Sequence, residues 1–273
     1  MGNRGRLEQA NDNAVGFWSA QAEVQGWEHV RREGYTAVRC ARAAGIAHRV
    51  VITRPYGDHE GLAATLAAEL TRLLQEWGPG ELCLEDPYLG LDLRASGRES
   101  SLEMPVMTRE PGPLPAGPPV GCGAGQATMR GRGLGTGASG EVRTVGEVTD
   151  AEGLAAAERT VVEGFPVSGS RPWSRGGLLP EALLAVPGCR VWLARVDGSP
   201  ASACVTYDDG EAMGVYWMAT LPEHRSKGLA RMVVEAALAA HPDRVSTLVA
   251  TLLGEPLYRR LGFTEQGLTR WWR

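Results

Sequence analysis

The sequence predicts an α/β protein, α+β in the sense of a mixed central sheet flanked by helices, arranged as two packed blocks in tandem. Three observations carry that prediction. Stretches with apolar residues at three-to-four spacing alternate with short β-leaning runs of period two. A Gly- and Pro-dominated stretch, residues 111–140, separates residues 1–110 from residues 141–273. Each block sets strands on both sides of an amphipathic helix.

The 273 residues are 43% hydrophobic and 22% charged, a balance that supports a real core. The formal charge of −4 divides as 12 Arg against 16 acids in residues 1–110, two Arg in 111–140, and 14 basic against 16 acidic residues in 141–273. No segment is basic enough to make nucleic acid the expected partner. Cys40, Cys83, Cys122, Cys189 and Cys204 are odd in number, widely spaced and lack a C-x-x-C pair, so neither a disulfide framework nor a zinc site is implied. A reducing cytoplasm is the expected compartment, with no metal. The opening residues carry no apolar signal segment, and no uncharged apolar run approaches 18 residues, so neither secretion nor a membrane span is expected. Lys227 is the only lysine in a chain rich in Arg, Ala and Gly. That bias makes single Gly and Arg positions less informative.

In the first block, residues 5–25 read as a helix anchored by Phe17 and Trp18, and 27–32, 35–40 and 46–53 read as strands. A strong amphipathic helix is expected from Asp58, its N-cap, to Trp77, with Leu62, Leu66, Leu70, Leu73 and Leu74 on one face and Gly78-Pro79 as its stop. Strands at 81–84 and 102–107 follow. Residues 111–140 hold almost no bulky apolar side chain, cannot offset their ordering entropy by burial, and are expected to be a flexible linker. Their GRGLGTG run lacks the flanking strand and helix of a phosphate loop.

In the second block, a strand at 142–145 precedes a helix at 151–163 capped by Asp150. Strands at 190–196 and 201–207 join through Asp197-Gly198, a hairpin signature, and 211–219 closes the meander. A helix at 227–240 buries Leu229, Val233 and Ala237 and pairs Arg231 with Glu235; a strand at 245–251, a short helix at 255–261 and a strand at 263–270 complete the order.

The chemistry lies where the meander ends. From Trp217 through Met218, Ala219 and Thr220 the chain passes a Pro, turns through Arg225, Ser226, Lys227 and Gly228, and enters a helix at Leu229, Ala230 and Arg231. A helix start has unpaired N–H groups and the positive end of the dipole, so this turn is a candidate anion cradle. The Arg225-Ser226-Lys227-Gly228-Leu229-Ala230 stretch resembles the R/Q-x-x-G-x-G/A signature of the GNAT acetyltransferases. Thirty residues on, Tyr258-Arg259-Arg260-Leu261-Gly262-Phe263 resembles that family's closing motif. The resemblance covers residues 141–273 and implies a GNAT fold, with acetyl-CoA as co-substrate.

What the resemblance implies is placed residue by residue. Met218, Ala219 and Thr220 would meet the pantetheine arm where their strand splays from the next. Arg225, Ser226, Lys227, Gly228, Leu229, Ala230 and Arg231 would hold the pyrophosphate, chiefly through backbone N–H groups. Tyr258 would be the acid that protonates the leaving thiolate, a phenol of about 10 matched to a thiol of about 8.5. Plainer readings stand beside these: Tyr258 as a packed helix residue, Lys227 as a surface cation, Glu223 and His224 as a solvated turn rather than a base. Asp208, Asp209 and Glu211 read as a turn, and Cys189 and Cys204 as packing residues. Leu252 and Leu253 are candidates for shaping the acyl end.

The first block resembles the N-terminal half of a tandem GNAT-like protein, degenerate because no cradle and no closing Tyr motif occur in it. An acidic pair at its helix start, Asp58 and Glu60, would repel phosphate. It is expected to pack on the second block and wall its cleft, with Tyr56, His59 and Trp77 as candidate lining residues. Trp271-Trp272 reads as either a domain-packing patch or a homodimer patch. The expected function is acetyl transfer from acetyl-CoA to a primary amine of a small molecule; the alternative is an acyl-CoA sensor or interaction protein without turnover.

Overall fold

The computed structural model describes residues 5–40, 46–55, 61–78, 80–115, 133–136, 141–165 and 172–273. Helix α1 (Arg6–Gln25) opens the chain and ends at Gly26, whose φ of 65° lets the chain reverse. Strands β1 (Glu28–Arg31), β2 (Tyr35–Arg39) and β3 (His48–Ile52) form a meander, α2 (Leu62–Trp77) crosses over, and β4 (Leu82–Asp86) runs parallel to β3. Then come β5 (Ser100–Arg109), β6 (Gly133–Thr136), β7 (Val142–Val148) and α3 (Ala151–Gly164). A second meander, β8 (Cys189–Val196), β9 (Ser199–Asp208) and β10 (Ala212–Thr220), leads through α4 (Leu229–Ala239) to the parallel strand β11 (Val245–Val249). Helix α5 (Glu255–Arg260) and β12 (Thr264–Trp272) finish the chain.

Local chemistry accounts for most of these boundaries. Asp150 caps α3 by accepting from the Gly153 N–H at 2.7 Å, and Asp197 and Gly198, at φ 48° and 82°, make the expected hairpin turn. Two boundaries differ from expectation. Helix α2 starts behind Gly61, whose φ of 103° suits glycine alone, and the Thr65 N–H closes the first turn on the Gly61 carbonyl. Asp58 is therefore not its cap and lies outside the described residues. Within the expected linker, residues 133–136 pair with β7 as an edge strand. Backbone hydrogen bonds hold such an edge, and glycine supplies them as well as any residue. Residues 116–132 and 137–140 lie outside the described residues.

Among the described residues the twelve strands join in one mixed sheet, ordered β1-β2-β3-β4-β12-β5-β11-β10-β9-β8-β7-β6. From β1 inward and from β8 inward the plan is the same: three antiparallel strands, a helix, a parallel strand, then a closing strand. The closing strands are exchanged. Strand β5, from the first half, inserts between β11 and β12, with Met107 opposite Leu248; β12 inserts between β5 and β4, with Trp272 opposite Leu84. The cores follow the strands. Met107 is buried among the α4 and α5 side chains, and Trp272 among those of α2. Trp272 is thus taken up inside the chain, while Trp271 is half-buried and lines the cleft.

Helices α2, α4 and α5 cover one face of the sheet, while α1 and α3 share a third core on the other, where Phe17 and Trp18 pack with Val161, Leu193 and Val205. Helix α1 belongs to the first half by sequence and to both by packing. Asn13, fully buried, donates to the Tyr207 and Ala212 carbonyls at 3.2 and 3.0 Å and accepts from the Tyr216 hydroxyl at 2.7 Å. Gly214 makes room for it: a Cβ there would lie 2.1 Å from the Asn13 Oδ1.

Candidate active site

Strands β10 and β11 pair only at Ala212, Met213 and Gly214, opposite Val245, Ser246 and Thr247. Beyond that point β11 keeps β5 as its neighbour, and β10 leans away through a bulge at Trp217, whose φ is 52°. The sheet therefore opens into a V, as the splay predicted for Met218, Ala219 and Thr220 requires. By contrast β3 and β4, their counterparts in the first half, stay registered from His48 opposite Leu82 to Val51 opposite Glu85. No splay opens there.

Beyond the V, Pro222–His224 form a short 3-10 turn, Ser226 and Gly228 take left-handed φ values of 60° and 81°, and α4 begins. No side chain caps α4. A Cβ at Gly228 would meet nothing within 4 Å, so the space before the helix start is open to a ligand. Ala230 lines the cleft, whereas the Leu229 side chain is buried in the core and offers only backbone.

The three cations of this stretch are committed elsewhere. Arg225 donates to the Thr220 and Gly164 carbonyls at 3.2 and 2.8 Å, and Arg231 donates to Glu235 at 2.6 Å. Lys227 stands 3.9 Å from Glu141, and its carbonyl accepts from Arg143 at 2.7 Å. Backbone donors and the helix dipole remain as what this junction offers an anion. The contact with Arg143, on β7, had no signal in the sequence.

Tyr258 is 7% exposed, packs edge-on to Phe263 at 5.7 Å, and lines the cleft. Its hydroxyl has no hydrogen-bond partner among the described residues. Burial, and secondarily the Cys204 thiol, push its pKa well up, so the phenol holds its proton. Cys204 and Cys189 are packing residues as expected; burial raises both thiols, Cys189 to about 12. Glu223 and His224 do not line the cleft. Asp208 and Asp209 are occupied by Arg244 and by the turn's own N–H groups. Leu252 and Leu253 line the cleft mouth, and Leu253 is 95% exposed.

The cleft is large, about 1740 Å³, and the first half forms much of its wall. Trp18 of α1, Arg49 of β3 and Glu85 of β4 line it together with Phe165, Trp217 and Thr269 of the second half, and Trp18 meets Trp217 edge-on at 5.7 Å. Sequence reasoning had selected different wall residues. Trp77 is instead buried in the α2 core beside His48, and Tyr56 and His59 lie outside the described residues.

A mixed sheet with a splayed parallel pair, a bulged strand and an uncapped helix start behind a left-handed turn defines the GNAT class of fold. Residues 187–265 match the family model for the acetyltransferase (GNAT) domain. The second half is thus similar to a GNAT acetyltransferase domain over those residues. Solved structures extend the likeness to the whole length. A GCN5-related N-acetyltransferase from Kribbella flavida is 18% identical, with 99% of this chain and 95% of that one covered at a TM-score of 0.62. A tandem GNAT protein from the clavulanic acid biosynthesis pathway is 12% identical, with 97% and 94% covered at 0.51. A GCN5-related N-acetyltransferase from Sphaerobacter thermophilus is 16% identical, with 99% and 94% covered at 0.50. No curated protein matches the sequence. Among the described residues no helix is long and apolar enough to cross a membrane.

Proposed function

We propose that the chain transfers an acetyl group from acetyl-CoA to a primary amine of a small molecule. The observation that carries this reading is the opening of β10 from β11 beside Tyr258 and the uncapped start of α4. Residues 218–220 would hydrogen-bond the pantetheine arm along the freed edge of β10, and the backbone from Ser226 to Arg231 would receive the pyrophosphate. Backbone N–H groups near the bulge would polarise the thioester carbonyl. As the amine nitrogen bonds to that carbon and the C–S bond breaks, Tyr258 would give its proton to the departing sulfur.

The fit is one of shape and donors: a gap in the sheet, an open space at Gly228 and a protonated phenol occur together in one half only. Calorimetry with acetyl-CoA, followed by thiol release across a library of small amines, tests the reading. Binding with turnover of at least one amine is expected, and absence of acetyl-CoA binding refutes it. The competing reading, an acyl-CoA sensor, is favoured by one observation: neither acidic nor imidazole group of the 222–224 turn reaches the cleft. Tight binding without turnover of any amine would select it.

A further inference from the structure

The cofactor reading uses only the splayed end of the cleft, yet a ligand pocket is commonly about 300–1,000 Å³ and this one is larger. Its remaining space is walled by the first half. There the Arg49 guanidinium stacks 4.4 Å from the Trp18 ring centroid and lies 5.5 Å from that of Trp217. Contact with the rings and with the Cys83 thiol still leaves guanidinium N–H groups for an acceptor. Arg49 nevertheless has no salt bridge among the described residues, and its Nε is buried without a partner.

Glu85 lies on the same sheet face, one strand over and two residues along from the Cys83 that registers with Arg49. It is 9% exposed and has neither an ion pair nor a hydrogen bond among the described residues. It lines the same cleft as Tyr216 and Trp217 of β10. Two further buried polar atoms on the cleft wall lack partners: Trp217 Nε1, and the Oγ1 of Thr269, a residue 1% exposed. Buried polar groups in folded proteins are nearly always paired, so this concentration in one cleft marks a place a polar ligand fills.

We propose that the first half builds the acceptor subsite, and that the acceptor is a small aminocarboxylate whose carboxylate binds Arg49 and whose ammonium binds Glu85. Arg49 and Glu85, a cation and an anion on one sheet face without an ion pair among the described residues, fit a zwitterion, which neutralises both at once. Glu85 then takes the proton that the ammonium nitrogen loses before it attacks the thioester carbon. Around Glu85 stand Arg49 and the Cys83 thiol, Trp271 opposite it on β12, and Arg273, which acts on the same thiol; the Tyr216 hydroxyl also feels its charge. This proposal rests on the acetyl-transfer reading of the same cleft.

The test uses the full chain, acetyl-CoA, and matched probes: L-α-amino acids, β-alanine and γ-aminobutyrate, each beside the amine lacking the carboxylate. At least one aminocarboxylate is expected to be acetylated with kcat/KM about tenfold or more above its decarboxylated partner. Arg49→Met removes that preference and leaves acetyl-CoA affinity within about twofold. Glu85→Gln loses about tenfold in kcat/KM near neutral pH and recovers at alkaline pH, where the free amine predominates. Should Arg49→Met not fold, quenching of Trp18 and Trp217 fluorescence by the same probes in the unaltered chain reads binding directly. Turnover with no preference for a carboxylate, or acetyl-CoA binding with no aminocarboxylate turned over, overturns the subsite. Failure of acetyl-CoA to bind at all overturns the acetyl-transfer reading instead.

Discussion

The guanidinium carbon of Arg49, on β3, lies 5.5 Å from the ring centroid of Trp217, on β10, although four strands stand between them in the sheet. Five strand intervals of about 4.8 Å would hold the two backbones roughly 24 Å apart in a flat sheet, beyond the reach of both side chains. The sheet therefore curls around α1. Phe17 fills the curl by stacking on Tyr216 at 3.9 Å, and the cleft is the space left beside it.

Tyr258→Phe is expected to lower kcat for acetyl transfer by about 100-fold, at the lower end of general-acid effects, with acetyl-CoA affinity within about twofold. Because burial pushes the Tyr258 pKa up, the phenol stays protonated through the ordinary working range, and the unaltered chain should show no alkaline fall in kcat from this group. A variant with full kcat at every pH ends the assignment.

At Gly228, φ is 81° and a Cβ would enter open space, so Gly228→Ala strains the backbone without a clash. The expected cost is about 1 kcal/mol of stability. Acetyl-CoA affinity should fall further than stability does, because the added methyl projects where a phosphate must approach. Calorimetry beside chemical denaturation separates the two effects; unchanged affinity would remove Gly228 from the cofactor site.

Residues 141–273 on their own lack β5, the strand that joins β11 to β12. That fragment is expected to show no cooperative melting transition and to aggregate through its unpaired edges. Within the full chain, Trp272→Ala should cost about 3–5 kcal/mol, though it sits at the far end from α2 in sequence. A well-dispersed NMR spectrum from the fragment would contradict the interlock.

Asn13 ties α1 to β9 and β10, and its loss leaves the Tyr216 hydroxyl and two carbonyls short of a partner. Asn13→Ala should cost about 2–3 kcal/mol, measured by urea denaturation at constant m. A change under about 0.5 kcal/mol would show that water replaces it readily.

Burial raises the Glu85 carboxyl pKa in the folded chain, with Arg49 partly opposing. The native state thus binds this proton more tightly than the unfolded chain. Its stabilisation is full below the unfolded value of about 4.3 and is lost as pH rises through the raised folded pKa. Glu85→Gln should accordingly raise the melting temperature at pH 7, with the gain shrinking toward pH 4. An equal change at both pH values would show that ionisation of Glu85 carries no cost.

Much of this protein was legible along the chain. Period-two and period-3.6 patterns located both meanders and the helices at 62–77 and 229–239, because burial of one face is written into local sequence. The turn from Arg225 to Gly228, the start of the helix behind it and the short helix carrying Tyr258 were legible for the same reason, since a turn and the helix it starts are neighbours in sequence. The N-cap at Asp58 was misplaced because a left-handed Gly61 overrides side-chain capping. Arg49 and Glu85 left only a faint sign, a charge at an inward position of an otherwise apolar strand, and nothing local told which cleft they would face.

The sequence by itself determined the elements, the second half's GNAT-like motifs and the absence of their counterparts in the first. Tertiary structure alone decided that β5 and β12 exchange places, that α1 serves both halves, and that the first half supplies the polar wall of the cleft. The reason is physical. Strand pairing uses backbone groups that every residue carries, so partner choice is settled by which buried faces meet at long range, as when Met107 and Trp272 each enter the other half's core.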